Sequence, residues 1–562
     1  MQDRWTRALA VTLFVLALAA QPLLASIFRA DTWDDSAITV AYARTFAHTG
    51  VIEATPGSGI VEGYSTTLWM LVLAGIAKFV ATPSALLASA KILSCLLNIA
   101  NIVLVRAVIR RWGRDDLADL TAGVFGLMEI TIQESINGME DPLMLFLLLA
   151  VVFCLRSTSI RGRIVFLFSG GLFVLCRHEA FVLLAPLLLF VHPIRRRIAA
   201  AAVWFGVLAV AALIRWRYFG SLLPNTIIAK RHFPYSMPTP HQELLRHLRP
   251  AETLTRALVM LIIVLLFAAL CRSRDLFGWT KHIPSLRLST PLRQTLSGAD
   301  DLKIAGILVL FGLFLEFGIG ENWGPPDREF FSSLPFLIYL FLRLTFRLAG
   351  SLSLRRQVCA LLFVLIAYRA VRNAQRLDSP FAPLYMPMIT VRTIAALVPP
   401  VEQIRQDAGL ETLTFAAPDV GGVMLYGNHL HVMDLGLLCD RTLAKDGYAI
   451  APHYILDQRR PEVMELHSFW TLLNGVGDAP QLYSQYVVML IDRKRYFVRR
   501  DVFAKFAPLT VTRNFEATGR PQPQDDGDLN VELAYPSYLT DADTAINKHY
   551  GSYYVFRTRQ GA

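Results

Sequence analysis

The stretch 31-DTWDDSAITVAYARTFAHTG-50 follows directly on the first long apolar segment of the chain. After Asp35, residues Ile38, Ala41, Tyr42, Thr45 and Phe46 recur at helical spacing and Gly50 supplies a stop, so the stretch reads as an amphipathic helix lying on a membrane. Its start carries more acid than a helix start needs. An N-cap takes a single Ser, Thr, Asp or Asn and contributes about 1 kcal/mol, whereas Asp31, Asp34 and Asp35 stand together here. An acid held beside apolar surface tends to have a raised pKa, which suits a general base. On the residues alone, cap and base stand side by side.

The membrane setting comes from composition. The 562 residues are 54% hydrophobic and only 18% charged, with a mean hydropathy of +0.43, too apolar for a soluble chain of this length. The net charge of +11 sits in short basic clusters between apolar runs, as in cytoplasmic loops, which argues against nucleic acid as a partner. The N-terminal run over 1–28 has too long an apolar core for a signal peptide and reads as an uncleaved anchor.

Apolar segments at 8–28, 84–108, 117–133, 141–155, 164–176, 180–193, 198–215, 254–271, 302–318, 330–347 and 357–372 predict about eleven transmembrane helices. With the N-terminus inside, the clusters Arg106–Arg114, Arg156–Arg163 and Arg195–Arg197, the 272–301 loop, and Arg343–Arg356 all fall inside. That scheme requires 64-YSTTLWMLVLAGIAKFVATPS-84 to lie at the outer surface without crossing, so that the first outer loop runs over 29–83. One outer loop breaks the charge rule. Residues 216–253 hold Arg217, Lys230, Arg231, Arg246 and Arg249, which suit an anion bound there.

The expected fold is thus a polytopic α-helical membrane protein over 1–372, followed by a soluble extracytoplasmic α/β domain over 373–562. Within the latter, 412-TLTFAA-417, 430-LHVMDL-435 and 486-YVVMLI-491 read as strands. Gly421-Gly422 reads as a tight strand-to-helix turn without chemistry. His429 and His431 would share a strand face, but with no further ligands beside them they read as surface or packing residues, so no metal site is expected. Cys439 has no partner in this region, which speaks against a structural disulfide.

Further acids map to the same outer side: Glu62, Glu140, Asp141, Glu179, Glu321 and Asp327, with Arg177, Lys230 and Arg328 among them. Each alone reads as a cap or an ion pair. Together they suggest one polar site, because ionisable groups near a membrane are costly. A carboxylate base with cations and access from lipid suits sugar transfer from a polyprenyl-phosphate donor. The base takes a proton from an acceptor hydroxyl while cations receive the leaving phosphate, and a departing monophosphate requires no metal motif.

The residues DDSAITVAYARTFAHTGVIEATPGSGIVEGYSTTLW also resemble the first outer loop of the GT-C membrane glycosyltransferases, particularly the branch containing the mycobacterial terminal β-(1→2)-arabinofuranosyltransferases. Further similarities follow in order in NGMEDPL, CRHEA, YFGSLLPNTIIAK, PDREFFSSLP and LHVMDLGLLCDRTLA, so the resemblance reaches from about 31 to 445. It implies a GT-C fold, a polyprenyl-phosphate sugar donor, no cofactor, and a cell-envelope glycan, glycolipid or glycoprotein acceptor outside a bacterial inner membrane. Carried over by position, Asp34 is the base with Asp35 beside it. Substrate contacts fall on Arg44, Glu62, Tyr64, Glu140, Asp141, Arg177, Glu179, Asn225, Lys230 and Arg328. Departures at Ser36, Thr39 and His178 leave arabinofuranose as one candidate sugar.

The rival readings are a transporter or flippase of lipid-linked sugars and a non-catalytic glycan-binding protein. Secondary transporters often have discontinuous midplane helices and related halves, and neither is evident in this sequence. The topology is testable by cysteine-accessibility labelling. Positions 55 and 525 should label from outside the cytoplasm, and exclusive cytoplasmic labelling at either would overturn the scheme.

Overall fold

The computed structural model describes residues 4–27, 32–177, 181–232, 300–318, 328–348, 352–374, 389–466, 470, 474–491, 494–510 and 554–555. The chain begins with α1 (Arg4–Ile27), α2 (Asp34–Thr49), α3 (Thr67–Ala77), α4 (Pro83–Arg111), α5 (Asp115–Leu127), α6 (Glu129–Asn137), α7 (Asp141–Cys154) and α8 (Ile160–Cys176). After short helical turns over 181–190 come α9 (Ile194–Phe219), α10 (Asn225–Ala229), α11 (Asp300–Gly318), α12 (Leu334–Leu348), α13 (Leu352–Ala374) and α14 (Val391–Ala395). The remainder is a small mixed region of β1 (Leu413–Ala417), α15 (Gly421–Tyr426), β2 (Leu430–Asp434), α16 (Arg441–Asp446), β3 (Val463–Glu465), β4 (Tyr486–Ile491), β5 (Lys494–Arg499) and β6 (Tyr554–Val555). Two compact units result. One comprises Met1–Arg29, Lys91–Ala211 and Met237–Gln375, the other Ala30–Ala90, Ala212–Ser236 and Arg376–Ala562.

The first unit is helical. Among the described residues three helices, α1, α4 and α9, are long and apolar enough to cross a membrane, and the pair α6–α7 makes a fourth if counted as one broken span. The other expected spans are less clear-cut. The segment 254–271 lies outside the described residues, and α8 and α12, at 17 and 15 residues, fall short of the ~20 that a crossing takes. Acids at both ends of α11 and arginines at both ends of α13 cut into their apolar lengths.

The α6–α7 pair bends by 115° between the expected spans 117–133 and 141–155, and the first of these is itself interrupted between α5 and α6. Backbone groups at such a break must be satisfied internally where no water reaches, and polar side chains serve this need. The Gln21 amide donates to the Gly126 carbonyl at the end of α5 (2.7 Å), and its oxygen accepts from Ser135. The Ser94 hydroxyl donates to the Met139 carbonyl inside the break (2.9 Å). Asn98 donates to the Thr131 carbonyl (2.9 Å) and Asn101 to that of Pro142 (2.9 Å). Ser94, Asn98 and Asn101 recur at helical spacing on α4, so this polar stripe was visible in an otherwise apolar segment.

The second unit is built on a sheet of order β2-β1-β3-β5-β4-β6. β1 runs parallel to β2 and β3, and β5 is antiparallel to β3 and β4. The three expected strands appear as β1, β2 and β4. Phe415 pairs with Val432 on one side and Val463 on the other and is fully buried, while its neighbour Ala416 joins the core that holds Leu443, Ile455 and Phe497.

Helices α2 and α3 belong to this same unit. Ala37, Val40, Ala41, Tyr42 and Ala43 are all buried, so α2 is enclosed around its circumference by α3, α14 and α15 and is not the one-faced surface helix expected. It ends as read, with Gly50 in the left-handed region (φ 73°). α3 has eleven residues and so rises about 16 Å, roughly half the hydrocarbon thickness of a bilayer.

Gln21→Leu should test the polar network around the break. It strips the partner from a carbonyl near a helix end and from Ser135, at a cost of about 1–3 kcal/mol. Thermal unfolding in detergent should show a clear drop, whereas Val15→Ala, at a residue 56% exposed, should be nearly neutral.

Candidate active site

The second unit carries the acidic start of α2. The carboxylate of Asp34 is 4% exposed and accepts two backbone N–H groups, from Gly421 to Oδ2 and from Gly422 to Oδ1, both at 2.7 Å. These amides open α15 where the chain turns from β1. Burial pushes the Asp34 carboxyl well above the usual carboxylate range and nearby Asp419 adds to this, while the two amides pull it back. The N-cap position of α2 is Trp33, which makes no side-chain cap, so neither acid caps the helix.

The glycine pair is required by close approach. A Cβ on Gly421 would stand 2.0 Å from the Asp34 carbonyl oxygen, and one on Gly422 would stand 2.5 Å from the Val391 carbonyl oxygen. The pair is the strand-to-helix turn the sequence suggested, and its amides are engaged by the chain's own carboxylate. Asp35, one residue along, is half-buried.

The second motif packs nearby in the same unit. Glu62 receives the Arg215 guanidinium in two-pronged fashion, Nε to Oε2 at 2.5 Å and a terminal nitrogen to Oε1 at 3.0 Å. Burial raises the Glu62 carboxyl, and Arg215 opposes that rise. Tyr64 stacks edge-on against Tyr42 with ring centroids 5.1 Å apart. Between them, Gly63 fits against the Cys439 sulfur, which a Cβ there would approach to 2.4 Å.

Other expected site residues also have defined partners. Arg44 donates to the Leu425 carbonyl (3.0 Å) and to Asn428 (3.1 Å), tying α2 to the α15–β2 turn. The Asn225 amide donates to the carbonyls of Leu438 (2.7 Å) and Asp440 (3.2 Å), and Lys230 follows at the end of α10. The segment 432-VMDLGLLCD-440 that Asn225 grips is itself braced by acids. Asp434 accepts from the amides of Gly436 (2.6 Å) and Cys439 (2.7 Å), and Asp440 caps α16 through Thr442 and Leu443. Arg215 and the Gly421–Gly422 amides were missed as partners by sequence reasoning. Nothing local in the sequence marks a pairing across 153 or 387 positions.

The helical unit holds a charged group of its own residues. Arg328 donates to Glu140 (2.9 Å) and Asp141 (3.0 Å), and Arg177 donates to Glu329 (3.0 Å), all of them buried or nearly so. Asp31, Glu179, Glu321 and Asp327 lie outside the described residues. Among the described residues no three His, Cys, Asp or Glu side chains stand together as metal ligands, and His431 packs against Gly57.

No family model matches this chain, and no curated protein matches it. Among solved structures it is similar to the archaeal oligosaccharyltransferase AglB from Archaeoglobus fulgidus, determined in complex with an inhibitory peptide and a dolichol-phosphate. The identity is 11%, the match covers 90% of this chain and 78% of that one, and the TM-score is 0.45.

Asp434 gives a pH test. Burial lifts its carboxyl from 3.8 to about 7. A carboxyl raised on folding contributes stability that is fully present below about 3.8 and lost as pH climbs through 7. In chemical-denaturation curves, the margin of the native chain over Asp434→Asn should shrink between pH 4 and 7. A margin independent of pH would refute the shift.

Proposed function

We propose that the chain is an integral-membrane glycosyltransferase of the GT-C type, which moves a sugar from a polyprenyl-phosphate donor to a cell-envelope glycan, glycolipid or glycoprotein. The observation that carries this reading is the acidic first turn of α2, built into the sheet unit beside the Glu62–Arg215 pair and the Tyr42–Tyr64 contact. Two motifs that resemble the first outer loop of that superfamily thus fold together in one place. A purely structural loop has no need of a second acid next to Asp34.

In this reading a carboxylate of the acid pair accepts the proton of an acceptor hydroxyl. The hydroxyl oxygen bonds to the anomeric carbon, and the anomeric C–O bond to phosphate breaks, its electron pair leaving with the lipid phosphate. Lys230 receives that phosphate, and Arg44, Glu62, Tyr64 and Asn225 shape or brace the sugar site. Glu140, Asp141, Arg177 and Arg328 form a polar subsite of the helical unit. Eleven spans with an inward N-terminus would put the sheet unit outside a bacterial inner membrane. Arabinofuranose is one candidate for the sugar, and no cofactor is required.

One observation favours a different reading. The broken pair α6–α7, lined by polar side chains, is the kind of discontinuous helix that transporters place at their binding sites. The purified full chain, assayed with synthetic polyprenyl-phosphate sugars, separates the two. Release of polyprenyl phosphate coupled to a new glycosidic bond is expected. Movement of intact lipid-linked sugar across proteoliposomes without bond cleavage would establish transport instead.

Lys230→Ala refines the test. Losing a charge-assisted contact to the leaving group should lower kcat/KM for the donor by about 10–100-fold and leave the acceptor KM nearly unchanged. Unaltered donor kinetics would return Lys230 to a surface role.

A further inference from the structure

We infer that the strip of the sheet unit formed by 215-RWRYFGSLLPNTIIAKRH-232 and 440-DRTLAKDG-447 is a surface for anionic phospholipid headgroups, which Arg217, Arg231, Arg441 and Lys445 hold. The surface is independent of the glycosyltransferase reading above.

The first segment is the exit of a membrane span. α9 is long and apolar enough to cross a bilayer, and its last turn, which belongs to the sheet unit, carries Trp216 and Tyr218, both exposed. Trp and Tyr at the end of a span sit at the level of the headgroups, where one part of the ring meets apolar surroundings and the other meets water. Beyond the turn at Gly220 (φ 68°), Leu222 and Leu223 are exposed as well.

The fold fastens the second segment against the first. The Arg441 guanidinium lies over the Gly220 backbone, where a Cβ would stand 3.1 Å from Nη2 and 3.6 Å from Nη1. Asn225 holds the carbonyls of Leu438 and Asp440, and His232 Nε2 donates to the Lys445 carbonyl at 2.8 Å, its ring fitting against Gly447. Cations from two distant stretches of chain are thereby set on one strip. Arg441 and Lys445, four residues apart, share a face of α16 and repel each other. Arg217 and Arg231 are likewise exposed, and among the described residues no ion pair or side-chain hydrogen bond engages any of the four. Of the two acids in these segments, Asp440 caps the start of α16 and only Asp446 is exposed.

An anionic phospholipid matches this arrangement. Its phosphate meets guanidinium and ammonium groups through charge-assisted hydrogen bonds, and its acyl chains receive the exposed apolar residues at the span end. A soluble polyanion would leave Trp216, Leu222 and Leu223 in water. A zwitterionic headgroup brings no net charge to the four cations. Each Lys or Arg beside a membrane strengthens attraction to anionic lipid by about fivefold.

The test titrates the purified full chain, in neutral detergent, with fluorescent phosphatidylglycerol, phosphatidylcholine, polyprenyl phosphate and water-soluble glycerol phosphate in turn. Phosphatidylglycerol should bind more tightly than the other three, and less tightly as salt rises, because the cations are exposed. The combined variant Arg217→Gln, Arg441→Gln, Lys445→Gln should weaken it by about 100-fold. Arg392→Gln with Lys505→Gln removes exposed cations of the same unit outside the strip and should leave it nearly unchanged. Arg441 packs on Gly220, so if its loss unfolds the chain, Arg217→Gln with Lys445→Gln keeps that contact and should still weaken binding by about 10–30-fold. Phosphatidylglycerol affinity that these substitutions leave intact would overturn the assignment. So would a loss confined to polyprenyl phosphate, which would make the strip a subsite for that lipid, or equal affinity for glycerol phosphate, which would make it a plain anion site.

Discussion

A carboxylate gripped by two consecutive glycine amides is the contact on which the sheet unit turns. Removing Asp34 from water costs several kcal/mol, and hydrogen bonds to a charged group return about 1.5–3 kcal/mol each. The two amides offset only part of the burial penalty, which leaves the carboxyl raised and little net stability from the contact. What the contact secures is geometry. It joins residues 387 and 388 positions apart, and it sets the entry of α2 against the start of α15. Gly421 and Gly422 are the residues that permit this, since any side chain would meet the backbone of α2 or α14.

Much of this was legible because local rules suffice for it. Alternation and turn residues gave β1, β2 and β4, the left-handed Gly50 ended α2 as read, and hydropathy found the long helices. The unread parts share a physical cause. β5 (KRYFVR) is too charged to look like a strand, and β3 has three residues; both exist because β1 and β4 give them partners. The enclosure of α2 was likewise invisible. Its sequence shows one apolar stripe, but Ala37, Val40 and Ala43 are small enough for neighbours to close on the other faces.

The broken helix teaches the converse. The segment 117–133 was read as one helix because hydropathy averages over a window, and the few polar residues of the neighbouring segments were averaged away. Those residues carry the structure: Gln21, Ser94, Asn98 and Asn101 each give a donor to a carbonyl on α5, on α6 or α7, or in the break between them. In apolar surroundings an amide or hydroxyl side chain is better evidence of an unsatisfied backbone nearby than of a ligand.

The same reasoning bears on the acids of the sheet unit. Asp34, Asp434 and Asp440 each accept two backbone N–H groups, and each thereby pins a turn: the start of α15, the 434–439 loop and the start of α16. Glu62 is matched to Arg215. In sequence these residues are alike as conspicuous acids in motifs, and counting them overstates how many do chemistry. A carboxylate whose two oxygens both hold the backbone is poorly placed to receive a proton without loosening what it holds.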